Sequence, residues 1–170
     1  LDAGRVTERD ASGQPLRASG VHLDITEHKR VEMRLREQSE QLRQVSEMAR
    51  IGGWSFDPLT GEGSWTEEVA RIHEVDPAQL ATAAQGLQFF HGESRRRIEA
   101  ALKAAIEQAQ PYDLELELVT ASGTTKWVRS KGLPRVQDVR VVELRGFMQD
   151  ITEQRRLNEE LSRHRHHLEE

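Results

Sequence analysis

The chain has 170 residues, a net charge of −5, 36% hydrophobic and 31% charged residues, and no cysteine. The acidic balance argues against a general nucleic-acid or anionic-membrane binder, and the missing cysteine excludes disulfides, thiolate metal sites, cysteine nucleophiles and cysteinyl cofactor adducts. No apolar run approaches the ~20 residues of a membrane-spanning helix. We expect one domain with additional helices. We also expect it to be cytoplasmic and to come from a longer protein, which can carry a membrane anchor elsewhere.

The first segment, residues 1–27, is typical of two short strands. A turn signal, Asp10–Pro15, separates two extended runs. Two strands alone are rarely stable in water. We therefore expect residues 1–27 to be the C-terminal strands of a preceding domain.

The next segment, residues 28–48, is predicted to form a connecting helix, because it contains neither glycine nor proline. Apolar residues recur at alternating steps of four and three, with one polar interruption at Gln38, which is a heptad seam. We expect this seam to pair with a second copy of the chain; the alternative is a linker helix whose stripe packs on its own domain. Gly52-Gly53 is expected to end the helix. The seam residues are Val31, Leu35, Leu42 and Val45.

Residues 49–152 show two strands, then helices, then three strands. A hairpin is predicted around Pro58–Gly61, helices before Pro77 and over 95–108, and a strand over 113–118 whose leucines alternate with acidic residues. This order predicts an α+β fold, a five-stranded antiparallel sheet with helices on one face. The turn at Asp138-Val139 lacks glycine, so we expect a wider or less ordered turn, since valine disfavours positive φ.

The sequence Asp-Ile-Thr-Glu occurs at residues 24–27 and again at 150–153, at an offset of 126 residues. A second helix, residues 153–170, follows the second copy with a seam in the same phase. Because the motif and the seam that follows it both occur twice, we favour a joint that transmits movement from strand to helix over a simple helix start. The seam residues of the second helix are Leu157, Leu161 and Leu168. The residues expected to couple strand to helix are Asp24, Thr26, Gly146, Asp150, Ile151 and Thr152.

The chemistry of the motif explains why it would act as a joint. Asp150 can cap the helix and Glu153 can reach back in a capping box, while Gly146 permits a bend in the strand and Ile151 inserts under the sheet. A charge-dependent contact of Asp150 is also expected. Its candidate partners are Arg129, Lys131 and Arg155.

These motifs together resemble a PAS sensory domain with its C-terminal PAC portion. Asp24-Ile25-Thr26 and Asp150-Ile151-Thr152 match the family's signature at the end of its last strand. The segment Ile51–Asp57 resembles the first hairpin of the Ile-Gly-x-Trp subgroup, and Lys126–Arg129 resembles its penultimate strand. The resemblance covers residues 49–152 as a complete domain and 1–27 as the end of another. Phe90–Arg95 departs from the subgroup's usual His-Pro-x-Asp-Arg, which puts the shape of that loop in doubt.

The resemblance implies a cavity between helices and sheet that holds a small, unidentified ligand; a filled core is the alternative. The candidate lining residues are Ile72, Phe89, Ile98, Leu102, Leu116, Leu118, Trp127, Val128, Leu144 and Phe147. Some PAS domains hold haem through a histidine, and His73 and His91 lie within this domain. Haem and non-covalent flavin are weaker alternatives, so no cofactor is assigned.

The sequence contains no enzyme motif and no metal site is assigned. His164 and His167 share a helix face but have no carboxylate beside them, so we interpret them as solvated. The resulting hypothesis is a sensory and relay module that acts through a homodimeric coiled coil on a C-terminal histidine kinase or cyclic-dinucleotide enzyme. We expect this fragment to make no contact with nucleic acid and no direct contact with a membrane. The alternative is a ligand-free dimerisation spacer.

Overall fold

A computed structural model describes residues 1–78 and 82–168, the last three of them by their backbone alone. The chain divides into two compact units, Leu1–Arg43 and Gln44–Glu170. The helix α1, Thr26–Ala49, begins in the first unit and ends in the second. Each unit is described below by itself.

The first unit contains an antiparallel hairpin formed by β1, Asp2–Arg9, and β2, Pro15–His22. The carboxylate of Asp10 closes its turn by accepting hydrogen bonds from the backbone of Ser12 and Gln14, each at 2.9 Å. Every residue of both strands is exposed. The described chain therefore supplies no core for this hairpin.

The second unit is built on a five-stranded antiparallel sheet of order β4-β3-β7-β6-β5. This confirms the predicted sheet. Its strands are β3 Ile51–Phe56, β4 Gly63–Trp65, β5 Tyr112–Val119, β6 Thr125–Gln137 and β7 Arg140–Asp150. The long β6–β7 pairing places the two central strands side by side from Val128↔Asp150 to Gln137↔Arg140.

The helices of this unit are α2 Glu67–His73, α3 Ala83–Leu87, α4 Gly92–Gln108 and α5 Thr152–Leu168. Helices α2 and α4 pack on one face of the sheet, as predicted, because each presents apolar side chains there. The buried core cluster is Val69, Ile72, Phe90, Ile98, Leu116, Leu118, Val128 and Met148. Within the described ranges, no helix is long and apolar enough to cross a bilayer.

The end of α1 differs from its prediction. The helix stops at Ala49 because Arg50 adopts a left-handed conformation with φ of 53°, whereas Gly52 and Gly53 lie inside β3. Gly52 has a packing role: a Cβ there would lie 2.5 Å from the Val69 side chain of α2. Gly52 therefore serves a close contact between strand and helix and does not end α1.

The turn between β6 and β7 is also different from its prediction. It is tight, with Asp138 and Val139 at φ of 47° and 67°. The register of the two strands, which pairs Gln137 with Arg140, leaves only two residues to connect them. Strand pairing therefore imposes a conformation that valine disfavours, and the side chain of Val139 is 98% exposed.

Candidate ligand cavity and helix joint

One row of paired residues crosses all five strands of the sheet: Trp65, Trp54, Gly146, Gly132 and Tyr112. The two glycines leave room for aromatic rings. A Cβ on Gly146 would lie 2.8 Å from the Trp54 ring, and one on Gly132 would lie 2.3 Å from the Tyr112 ring. The two rings face each other over this gap, with centroids 6.4 Å apart and planes at 16°. The row therefore forms an aromatic floor.

A cavity of about 70 Å³ lies between this floor and the helices. The floor is extended by Phe56, Ser130 and Met148, and among the described lining residues only His73 and Tyr112 have an ionisable side chain. The lining residues from the helices are Val69, His73, Ala83, Gly86, Leu87, Ile98 and Leu102. Such a lining favours an uncharged occupant.

His73, at the end of α2, is the one ionisable imidazole of the lining and is only 1% exposed. It stacks on Trp65 with centroids 4.4 Å apart and meets Phe89 edge-on at 4.7 Å. Burial, helped by the nearby Lys126 charge and opposed by the hydrogen bond with the Val69 carbonyl, lowers the pKa of His73 to about 4. The side chain is therefore neutral at pH 7.

The tautomer of His73 follows from its hydrogen bond. Its Nδ1 lies 2.8 Å from the carbonyl oxygen of Val69; because a carbonyl only accepts, Nδ1 carries the proton and donates. Nε2 then holds a lone pair, and it is buried without a hydrogen-bond partner. The indole Nε1 of Trp54 is likewise buried and unpartnered. Both residues line the cavity.

Tyr112 closes the floor at the β5 side. Burial raises the pKa of its hydroxyl above the usual value of 10.0, against the opposing effect of a hydrogen bond with Ser130. Ser130 is itself only 2% exposed. This end of the cavity therefore stays neutral and its polar groups are satisfied.

The predicted lining residues fall into three groups. Ile98 and Leu102 line the cavity. Ile72, Leu116, Leu118, Val128, Phe89 and Leu144 are buried or partly buried but lie outside its lining.

The structure places Trp127 and Phe147 outside the cavity lining, which corrects the prediction for these two residues. Alternate residues of a strand point to opposite faces, so Val128 and Met148, which enter the core, turn their neighbours outward. Trp127 instead lies under Arg155 of α5, and Phe147 lies 6.0 Å from Lys131 Nζ. Sequence reasoning did not assign Trp54, Trp65, Tyr112 and His73 to the cavity lining, although Trp54 lies in the first-hairpin motif and His73 is a haem candidate. Gly132 and Gly146 are a further signal in the sequence, because a glycine within a strand often marks a close approach.

The second Asp-Ile-Thr motif joins β7 to α5 through a chain of hydrogen bonds. Asp150 Oδ1 accepts from the Thr152 backbone N–H at 3.0 Å and from its hydroxyl at 2.6 Å. The same hydroxyl oxygen accepts from the Trp127 N–H at 3.0 Å, and the Ile151 N–H donates to the Trp127 carbonyl at 2.9 Å. The first residues of α5 are therefore tied to both central strands, β6 and β7.

The first copy of the motif has the same local geometry. Asp24 Oδ1 accepts from the Thr26 N–H at 2.9 Å and from its hydroxyl at 2.5 Å. These bonds, the hydroxyl one first, hold the pKa of Asp24 below its usual value. Gly20 of this copy pairs with Gly4, as Gly146 pairs with Gly132. The repeat thus extends from sequence to strand register.

The expected partners of the second motif are different from those observed. Glu153 does not close a capping box but lies 3.4 Å from Arg50. The three candidate cations for Asp150 lie against other groups: Arg129 pairs with Asp113 at 2.6 Å, Arg155 pairs with Glu115 at 2.8 Å, and Lys131 Nζ lies 6.0 Å from the centre of the Phe147 ring. Asp150 therefore acts in the described chain as a hydrogen-bond acceptor for Thr152, without an ion pair.

Arg155 supplies a contact that sequence reasoning missed. Its guanidinium lies 3.7 Å from the centre of the Trp127 ring while it pairs with Glu115 on β5. A cation is attracted to the face of an indole ring. This contact holds the first turn of α5 against the outer face of the sheet, the face opposite the cavity.

The two seams remain exposed along their helices. The exposed fraction is 59% at Leu35 and 69% at Leu42 in α1, and 63% at Leu161 in α5. Val31, Val45 and Leu157 are exposed as well. The side chain of Leu168 lies outside the described part of the chain. The described chain thus leaves both apolar stripes uncovered.

Comparison with known proteins finds a matching family and relatives of similar sequence. A family model described as the PAS fold matches residues 63–148. An uncharacterized protein of Sinorhizobium fredii, y4lL, is 28% identical over 158 residues, which is 91% of this chain and 19% of that protein. The sensor protein FixL of Bradyrhizobium diazoefficiens is 24% identical over 69% of this chain and 24% of its own length.

A solved structure has the same fold. The sensory box histidine kinase/response regulator structure from Burkholderia thailandensis is 25% identical, covers 76% of this chain and 98% of that one, and has a TM-score of 0.61. The chain spans about a fifth to a quarter of the length of the two relatives above.

Proposed function

Because the chain belongs to the PAS-fold family, whose members here include sensor domains, we propose that it senses an occupant of its cavity and relays the change through α5. The output is a histidine kinase or a cyclic-dinucleotide enzyme in the same protein. The fragment itself has no catalytic role in this proposal. The solved structure described as a sensory box histidine kinase/response regulator supports the kinase as output.

The observation that carries the proposal is the position of the Thr152 hydroxyl. It accepts from the backbone of β6 and donates to Asp150 at the end of β7. The same two strands supply Ser130 and Met148 to the cavity. A shift of either strand would therefore change the start of α5 instead of being absorbed by a loop.

We propose further that the module works as a homodimer through the seams of α1 and α5. Exposed leucines at heptad spacing are stabilised when a second helix covers them. Two seams in the same phase after two copies of one motif support a shared pairing mode. When α5 is paired with a second copy, a tilt at its first turn changes the position of the two helices relative to each other.

The experiment joins residues 1–168 in heptad register to the catalytic core of a histidine kinase. Leu102→Ala alters the cavity wall and is expected to change autophosphorylation at least threefold, whereas Leu59→Ala, at a residue 93% exposed in the β3–β4 turn, is expected to leave it unchanged. Thermal melting of both variants checks that the domain remains folded. Equal kinase activity in the two variants would contradict a relay from the cavity.

The second candidate is a spacer that transmits helix motion without sensing. The small cavity favours it, because about 70 Å³ is roughly half of the ~150 Å³ of an apolar cavity that accommodates benzene. A haem or a flavin ring system is larger than benzene and needs a larger cavity than this one. The haem and flavin alternatives are therefore not proposed.

A further inference from the structure

Arg50, the residue that follows α1, lies where the incoming helix of the second unit meets the outgoing one. We infer that Arg50 is a positioning residue that couples the end of α1 directly to the start of α5, so that a movement of α1 reaches α5 without passing through the cavity. This inference rests on the proposed relay through α5 and adds a second input to it. Its basis is the way in which both helices are attached to the sheet and the contacts that Arg50 makes there.

Each of the two helices is attached to the sheet through a single residue. Arg50 connects α1 to β3, and Ile151 connects β7 to α5. β3 and β7 are antiparallel neighbours whose pairing begins at Ile51↔Gln149, so α1 enters the sheet at the end from which α5 leaves it. Ile151 is also buried, at 5% exposure. With connections this short, neither helix end can move far without displacing the strand that adjoins it.

Arg50 contacts both helix ends. Its backbone N–H donates to the Glu47 carbonyl in the last turn of α1 at 3.2 Å, and its own carbonyl accepts from the Asp150 N–H at 3.0 Å. Its guanidinium Nη1 lies 3.4 Å from Glu153 Oε2 in the first turn of α5. A left-handed conformation, here with φ of 53°, persists in a non-glycine residue only where its surroundings impose it. The backbone of Arg50 is therefore held by α1 on one side and by the end of β7 on the other.

This route is separate from the cavity and meets the cavity relay at Asp150. The described lining of the cavity includes neither Arg50 nor Glu153. The carboxylate of Asp150 accepts from Thr152, which belongs to the proposed cavity relay. The backbone N–H of the same aspartate donates to Arg50. The joint at Asp150 is thus in contact with both α1 and the two central strands.

The experiment imposes a rotation on α1 in the kinase fusion and measures autophosphorylation. Duplication of residues 39–40 turns the part of α1 before the insertion by about 200°, because each helical residue adds about 100°. Duplication of residues 34–40 adds one heptad and turns that part by about 20° less than two full turns. In a dimer paired through the seam of α1, only the first change therefore rotates the end of α1. We expect the first to change autophosphorylation at least threefold and the second to leave it within about twofold.

Variants of the ion pair locate the route. Arg50→Glu places a second acid beside Glu153 and is expected to reduce the effect of the two-residue duplication to less than about 1.5-fold. The reversed pair, Arg50→Glu with Glu153→Arg, restores opposite charges and should restore the full effect. Glu153→Gln removes the pair without a change in α1 and should act as Arg50→Glu does. A threefold change corresponds to about 0.7 kcal/mol, which lies within the range of an exposed ion pair, so the melting temperatures should stay close to that of wild type.

Arg71→Gln is the matched control, because Arg71 is a second cation beside the last turn of α1, 3.8 Å from Glu47. Arg71 belongs to α2, which also supplies part of the cavity wall. It therefore represents the competing route, in which α1 acts on the cavity first. We expect the two-residue duplication to keep its full effect in Arg71→Gln.

The outcomes separate this inference from the relay out of the cavity. A duplication effect that disappears in Arg50→Glu, returns in the reversed pair and survives in Arg71→Gln supports the inference. It is overturned by a two-residue duplication without effect in the otherwise unchanged chain, by equal effects in wild type and Arg50→Glu, or by an effect that Arg71→Gln abolishes. The cavity relay is tested by Leu102→Ala with α1 unchanged. Unchanged activity in Leu102→Ala beside a full duplication effect would contradict the cavity relay and support coupling through Arg50.

Discussion

At the residue scale, two glycines determine the shape of the cavity floor. Gly146 and Gly132 are neighbours on β7 and β6, and each is covered by an aromatic ring from the strand on its other side. Covering a strand glycine with an aromatic ring shields its backbone and offsets its weak strand preference. The sequence predicts that Gly146 belongs to the joint, whereas its contacts with Lys131 and Trp54 place it in the floor.

A methyl group at Gly146 should therefore be strongly destabilising. In Gly146→Ala the new Cβ would lie 1.8 Å from the Lys131 carbonyl oxygen and 2.8 Å from the Trp54 ring, so we expect a loss of roughly 1–3 kcal/mol in the free energy of unfolding, or more. Gly53→Ala in β3 is the control, because its nearest neighbour would be 3.6 Å away and surface-like changes of this size stay within about 0.5 kcal/mol. Urea denaturation measures both. Equal losses would show that the floor does not depend on the missing Cβ.

His73 makes stability depend on pH in a defined window. Its pKa of about 4 in the folded chain lies below the unfolded value of 6.5, so below pH 6.5 the unfolded state binds a proton that the folded state does not. Stability therefore falls as the pH falls from 6.5 towards 4. Between pH 6.5 and 5 we expect a loss of about 2 kcal/mol. His73→Phe should abolish this loss and His91→Gln, at an exposed position, should retain it. A wild-type stability that is flat over this window would contradict a buried neutral imidazole.

At the element scale, the central feature is the connection of α5 to two strands. The hydroxyl of Thr152 lies between the backbone of β6 and the carboxylate of Asp150, and Arg155 adds a contact one turn later. The described chain shows no ion pair at Asp150. The joint therefore depends on an oxygen acceptor at position 150 more than on its charge, and Asp150→Asn is expected to melt close to wild type, since asparagine also accepts there.

Removing the Thr152 hydroxyl tests this connection. Thr152→Val keeps the shape but leaves the Trp127 N–H without its acceptor, so we expect a loss of about 1–3 kcal/mol in unfolding free energy. Thr152→Ser keeps the hydroxyl and should lose less than about 0.5 kcal/mol. Amide hydrogen exchange at Trp127 should accelerate in the valine variant only. A slow Trp127 amide in Thr152→Val would mean that another group holds this N–H.

At the scale of the whole molecule, local patterns predicted elements but not the site. The alternation of Leu114, Leu116 and Leu118 with acidic residues predicts β5 and its buried face, because side-chain period is a local property. The aromatic floor depends on the register of five strands that are distant in sequence, which no local pattern encodes. For the same reason, the local pattern does not distinguish Trp127 and Phe147 from the core residues that follow them, Val128 and Met148.

The assembly has its own prediction, because nothing in the described chain covers the seam of α1. The double substitution Leu35→Asp, Leu42→Asp places charges on that seam, and we expect it to convert a dimer into a monomer in light scattering. Met33→Asp is the control, since Met33 is 60% exposed on the same helix but lies off the seam. A monomeric wild-type chain, or a dimer that survives the double substitution, would exclude pairing through α1.

The central claim is that the cavity and α5 communicate through Thr152, and a double-mutant cycle in the kinase fusion tests it most directly. Autophosphorylation is measured for wild type, Leu102→Ala, Thr152→Val and the double variant, and the cycle isolates the coupling between the two positions. We predict that Leu102→Ala changes the activity at least threefold in the wild-type and Thr152→Ser backgrounds but has no effect in the Thr152→Val background. The same Leu102→Ala effect in all three backgrounds would contradict transmission through this joint.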